Sequence, residues 1–195
     1  MAIRETAILL GLSMLLSGCI SFGPEPPDQL LSLTPRSTAP AGEIAGGTVG
    51  AAIVVLDPDT NRRLDVTRVP VQINGSSLAY LAGANWVERP ARLFRGLLAE
   101  TLRARSKRLV IEGSDYDTAA NATLSGRLLD MGYDAREQAV IVRYDAVLSD
   151  AEGKVRSRRF EAKVPGVSAD AIAVGPALNE AANDVAMQVA DWVAG

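Results

Sequence analysis

VIVRYDAVLSDAEGKVRSRRFEAKV, Val140–Val164, decides the fold. In its first third Val140, Val142, Tyr144, Ala146 and Leu148 fall on one side, and Arg143, Asp145 and Ser149 on the other. Period-two alternation of this kind belongs to a strand with one face on a core. Asp150-Ala151-Glu152-Gly153 reads as a hairpin loop. Val155–Val164 then returns, with Arg156, Arg158 and Arg159 early and Phe160, Ala162 and Val164 late. Arginines at that density suit an edge strand protected from aggregation by charge. Upstream, Ala122, Leu124, Gly126 and Leu128 share a face in a third alternating segment. Together the three predict an antiparallel meander.

Downstream, Ala177, Leu178, Ala181, Val185, Val189 and Trp192 recur at helical spacing, predicting a helix between Ser168 and Val193 that Pro176 either starts or kinks. Upstream lies a second amphipathic run, with Ala91, Phe94, Leu97, Leu98 and Leu102 on one stripe. Asn85 is its expected N-cap, with Glu88 at capping-box spacing and Pro90 in the first turns. Arg103, Arg105, Lys107 and Arg108 close it at the end that favours cations. Further back, Gln29–Thr34 reads as a short first strand ended by Pro35, and Thr48–Leu56 as a β-branched strand. Asp57-Pro58-Asp59-Thr60 reads as a turn. Leu64–Ile73 reads as a strand whose phase slips at Arg68–Val69, so that Pro70 marks an edge or a bulge. Asn74-Gly75 is a turn, after which Ser77–Leu81 returns as a strand, and Leu109–Glu112 is another. Six or seven strands and two helices predict an α+β domain: a mostly antiparallel sheet with both helices packed on one face.

The composition closes several routes to function. The 195 residues carry a formal charge of -3, contain no histidine and have one cysteine, Cys19. That charge gives no case for nucleic acid. Nucleophiles paired with histidine, zinc sites of histidine or several cysteines, and intramolecular disulfides are all excluded. Asp115 and Asp117 flank Tyr116 in a polar loop, but their spacing matches no calcium loop. Gly46, Gly47 and Gly50 precede the apolar strand and lack the Lys-Ser/Thr of a phosphate loop. No catalytic, metal or cofactor residue is assigned, and the protein is read as a non-enzyme.

The N-terminus reads as an address. Ala7–Leu16 is an apolar run too short for the roughly 20 residues that cross a bilayer. Leu16-Ser17-Gly18-Cys19 follows it, the pattern of a bacterial lipobox cleaved before the cysteine. Residues 1–18 are therefore expected to be a signal peptide. Cys19 is expected to carry a diacylglycerol and an N-acyl chain such as palmitate, enough lipid for stable anchoring. Ile20 stands where enterobacterial lipoproteins held at the inner membrane have aspartate, a similarity that favours the periplasmic face of the outer membrane. Pro24, Pro26 and Pro27 make residues 19–28 a semi-rigid tether reaching roughly 25–30 Å. Residues 29–195 form one domain.

Four parts of that domain, QLLSLTP, RVPVQI with the LAY segment, Trp86 before the first helix, and PALNEAANDVAMQVADWV, join the lipobox in a definite order. In that order and spacing the chain resembles the ABC-type transport auxiliary lipoproteins, including the PqiC-like envelope lipoproteins. LLSL replaces the YYTL-type opening of such relatives. The resemblance implies an accessory or docking subunit of an ABC system moving phospholipid or other hydrophobic molecules across the envelope. Its partners would be a substrate-binding protein with an MCE domain, a permease and an ATPase, and it leaves room for a homo-oligomer. The competing class is a structural lipoprotein of a secretion or lipopolysaccharide-assembly complex, since a fold of this size hosts both. Tyr80, Trp86, Arg156, Arg158 and Arg159 are the candidate contacts for a partner or lipid headgroup. Against that stand plain readings: core packing for the two aromatics and a solvated edge for the arginines.

Overall fold

The computed structural model describes residues 29–42, 46–106, 108–113 and 120–195. The signal peptide, Cys19, the tether, Lys107 and the Asp115–Asp117 loop lie outside them. The meander forms as expected and is longer: β6 (Ala122–Asp134), β7 (Ala139–Asp150) and β8 (Val155–Pro165) pair antiparallel. β6 is the spine. Along its other edge lie, end to end and parallel to it, β1 (Ile53–Val55), β2 (Asp59–Thr60) and β3 (Arg68–Gln72). β4 (Leu78–Asn85) pairs antiparallel with β3, and β5 (Val110–Glu112) parallel with β1. The sheet thus has eight strands, against the six or seven expected. The longest pairings are antiparallel and the fold is α+β.

Helices α1 (Pro90–Arg105) and α2 (Ala171–Ala194) cover one face. Tyr144 and Phe160 are cross-strand partners, so they share that face. Phe94 of α1 meets the Tyr144 ring edge-on at 5.2 Å, and Trp192 of α2 meets Phe160 at 5.6 Å. Tyr144 needs Gly126: that glycine has φ 149°, and a Cβ there would run into the Asp145 carbonyl and the Tyr144 ring. The buried phenol donates to Ser125 O at 2.7 Å, and burial pushes its pKa up.

Among the described residues the opposite face carries no helix, and it is charged. Arg63, Asp130, Arg143 and Glu161 follow one another across it as a ladder of ion pairs, with Arg159 bidentate on Asp145 beside them. The Arg159 hydrogen bond holds Asp145 below its ordinary pKa, whereas burial lifts Asp130 despite Arg63 and Arg143.

Several local expectations are corrected. Asn85 is the last residue of β4 and caps nothing; α1 starts at Pro90, with Arg89 as an N-cap that makes no side-chain cap bond. Proline at the first helical position starts the helix instead. Glu88 pairs with Arg92 rather than closing a capping box. Thr48–Leu56 is not one strand: Val49–Ala51 is a 3-10 turn, and only Ile53–Val55 joins the sheet. Leu64 is buried in a turn before β3. Pro70 does lie at a register shift, but β3 is internal, between β4 and β6. Asp59–Thr60, read as part of a turn, pairs as β2. Gln29–Thr34 makes only one bridge, Leu31 to Trp86. α2 begins at Ala171 behind the N-cap Asp170, whose carboxylate accepts from Ala173 N, and Pro176 lies inside it.

The sheet has two distinct ends. Gln72 pairs with Asp134, and Val167 N donates to Gln138 O, so the β3–β4 hairpin, the β6–β7 turn and the start of α2 share one end. The β7–β8 loop and the last residues of α1 and α2 share the other, where Arg105 pairs with Asp191.

Candidate functional site

The chain enters the domain as a strap. Leu31 N donates to Asn85 O at 2.7 Å, and Val87 N to Leu31 O at 2.8 Å. The Leu31 side chain lies on α2 at Gly175, where an added Cβ would come within 2.7 Å of Leu31 Cδ2. Beyond the Leu31 bridge the strap has no sheet partner among the described residues, and side chains supply its hydrogen bonds. Asn179 Oδ1 accepts from Thr34 N at 2.8 Å and Asn183 Oδ1 from Arg36 N at 2.6 Å. Asn183 Nδ2 donates back to Thr34 O at 3.0 Å. Arg36 pairs with Asp184, and Glu100 of α1 accepts from Ala39 N. The strap therefore runs in the direction of α2, and followed backward it leads to the end where α2 begins. Sequence reading missed this seat; its signal was the (i, i+4) pair Asn179 and Asn183, the second set within the apolar stripe of α2.

Trp86 sits under the strap, 2% exposed, and its indole N–H has no acceptor among the described residues. It is a core residue at the strap junction, with no surface to offer a partner. Tyr80, half-buried on β4, is covered by the Arg68 guanidinium 3.9 Å above its ring.

The three arginines of β8 part company, because successive residues of a strand face opposite ways. Arg159 is held by Asp145 on the charged face. Arg156 and Arg158 lie on the helix side, 5.3 Å over Trp192 and 5.0 Å over Phe160. Trp192 is thus half-buried, a platform at the edge of the core. Arg156 lines one depression with Arg108, Lys154, Asn121, Asp150 and Val193. Arg108 points at the Ala51 and Ala52 carbonyls at 3.4 and 3.5 Å. Among the described residues, the charged nitrogens of Arg108, Lys154, Arg156 and Arg158 form no ion pair within 4.0 Å, although the Asp150 carboxylate accepts from Lys154 N at 2.8 Å. This rim of cations lies at the end away from the strap's entry. Lys154 is Arg156's neighbour two residues back, whereas Arg108 comes from a distant part of the chain and only folding brings it to Arg156.

Next to the rim, a cavity of about 130 Å³ is lined by Ile53, Leu102, Ala190 and Val193. Ligand pockets run to roughly 300–1,000 Å³, so it is too small for a phospholipid. No helix among the described residues is long and apolar enough to cross a membrane.

A match to a family model described as ABC-type transport auxiliary lipoprotein component spans residues 31–190. The region it matches runs from the bridge residue Leu31 to Ala190 near the end of α2, and the chain belongs to that family. Among solved structures it is similar to a Xanthomonas campestris protein of the DUF330 family, with TM-score 0.71 and 20% identity over 85% of this chain and 94% of that one. A second, uncharacterized protein is similar at TM-score 0.64 and 14% identity, over 85% and 99% of the two chains. At such identities the likeness is one of fold. No curated protein matches the chain.

Proposed function

We propose that this auxiliary lipoprotein is a non-enzymatic docking subunit, anchored by acylated Cys19 to the periplasmic face of the outer membrane. Its partner is the MCE-domain substrate-binding protein of an ABC system with its permease and ATPase, moving phospholipid or similar hydrophobic cargo. The observation that carries this reading is the polarity of the domain. The chain enters at one end, and four cations without a described carboxylate partner stand at the other. An anchored domain so built offers a positively charged rim, on Arg108, Lys154, Arg156 and Arg158, to an acidic surface across the periplasm. Tethering raises effective concentration, so modest affinity suffices.

The test is affinity isolation of the full-length acylated protein from crosslinked, detergent-solubilised envelopes, with identification by mass spectrometry. Recovery of an MCE-domain protein together with a permease and an ATPase is the expected result. Recovery of an outer-membrane barrel or a secretion subunit, without ABC components, overturns the reading in favour of an assembly lipoprotein.

A further inference from the structure

We infer that the entry end of the domain lies against the bilayer that holds the acyl chains, with Leu30, Val87 and Ile172 in contact with its interfacial region. The inference rests on the acylation of Cys19 proposed above. Ile172 is 88% exposed, an unusual state for a large aliphatic side chain in the first turn of a well-formed helix. Leu30 and Val87, both exposed, flank the Leu31–Trp86 bridge. Leu31 rests on Gly175, less than one helical turn from Ile172, so Leu30, Val87 and Ile172 lie at the same end of the domain. Exposed Ile73 and Leu78, on the β3–β4 hairpin, lie at the same end of the sheet. Of the large apolar side chains that stand exposed among the described residues, only Val155 lies at the far end.

The tether selects the occupant. Described chain begins at Gln29, beside this patch, and the lipobox cysteine is ten positions earlier. The side-chain bonds along α2 hold the strap in one direction, so the tether leaves from the apolar end rather than from the cationic rim. The tether reaches roughly 25–30 Å, and a membrane at its far end faces this surface rather than the cationic rim. Of the charges nearby, Asp134 is paired with Arg136, Glu137 with Lys163 and Glu88 with Arg92, while the Asp170 carboxylate is taken up by Ala173 N at the start of α2. A stable protein partner covers about 800 Å² on each side. A few separated side chains fall short of that, but they suit shallow insertion reinforced by an anchor.

The experiment uses full-length acylated protein in vesicles of phosphatidylethanolamine and phosphatidylglycerol. A thiol-reactive fluorophore is placed at Ile172→Cys or, as the far-end control, at Val155→Cys, which is also exposed (61%). Acylation occupies the Cys19 thiol, so each variant has one reactive thiol. A quencher carried on the lipid chains reports contact. The expected result is quenching several-fold stronger at position 172 than at 155. Equal quenching, or stronger quenching at 155, overturns the inference. A shielded probe at 172 that is not quenched by lipid, with crosslinks between copies, assigns the patch to a second copy and also overturns it. The mass of the N-terminal peptide is read separately. An unmodified Cys19 there removes the lipoprotein reading itself, whereas modified Cys19 with equal quenching removes only the orientation.

Discussion

The seat of the strap and the cationic rim, at opposite ends of α2, handle polar groups in opposite ways. Along the strap the backbone groups of Thr34, Arg36 and Ala39 find Asn179, Asn183 and Glu100, and the Arg36 guanidinium has Asp184. At the rim Arg156 and Arg158 lie on aromatic rings and point outward without a described carboxylate. A seat whose groups are satisfied internally is built for stability. A rim whose charges are left to solvent contributes little to folding and stays available for a partner. The contrast predicts that substitutions at the seat lower stability, while substitutions at the rim leave stability alone and weaken association.

The sharpest way to break the contrast is Trp86→Ala, which empties a fully buried indole site beneath the strap. It should cost on the order of 3–5 kcal/mol, read as a lower urea midpoint. Trp86→Phe should cost much less, because the indole N–H has no acceptor to lose. Gly175→Leu drives Leu31 off the helix. About 2 kcal/mol is expected, with faster hydrogen exchange confined to residues 29–36. Asn183→Ala leaves the Thr34 carbonyl and Arg36 N–H without their side-chain partner, for about 1–2 kcal/mol and the same local exchange signature.

Asp134, in the turn at the entry end, accepts from Arg136 N at 2.9 Å and from the Arg136 guanidinium at 2.8 Å. Those bonds, the Arg136 side chain first, hold its pKa below the ordinary carboxylate value. The stability it contributes is present above that ordinary value and is lost as pH falls through the folded one. Asp134→Asn should therefore lower the melting temperature at pH 7, by the equivalent of about 1 kcal/mol, and the difference should shrink as pH falls through the lowered folded pKa. Arg156→Glu with Arg158→Glu should change stability by less than about 0.5 kcal/mol while abolishing partner capture. A large loss of stability in that pair would make the rim part of the core and erase the contrast.

The elements legible in the sequence were those with many periods. β7 and β8 alternate over ten residues or so, and both helices carry apolar stripes several turns long. The period reports which face is buried, and the hairpin loop sets antiparallel order. Short elements were misread because their signals are generic. The β-branched run at Val49–Val55 fits a 3-10 turn and a three-residue strand as well as one long strand. Capping-box spacing from Asn85 to Glu88 gave no warning that the Leu31–Trp86 bridge keeps that chain extended. Two-residue β2 carries no period at all. At the candidate site, the sequence placed three arginines on one edge strand but not their division between faces, which removes Arg159 to the charged side. Nor could it show Arg108 beside Lys154 and Arg156, a matter of long-range packing.

The central claim is that the rim faces the transport partner while the strap end faces the anchor. The most direct measurement is photocrosslinking in living cells from a benzoylphenylalanine placed at Arg158, with the same residue at Ile172 as comparison. The account predicts that position 158 crosslinks to the MCE-domain protein of an ABC system and that position 172 gives no such product. Crosslinking of that protein from position 172 and not from 158, or capture of an outer-membrane barrel from 158, would contradict it.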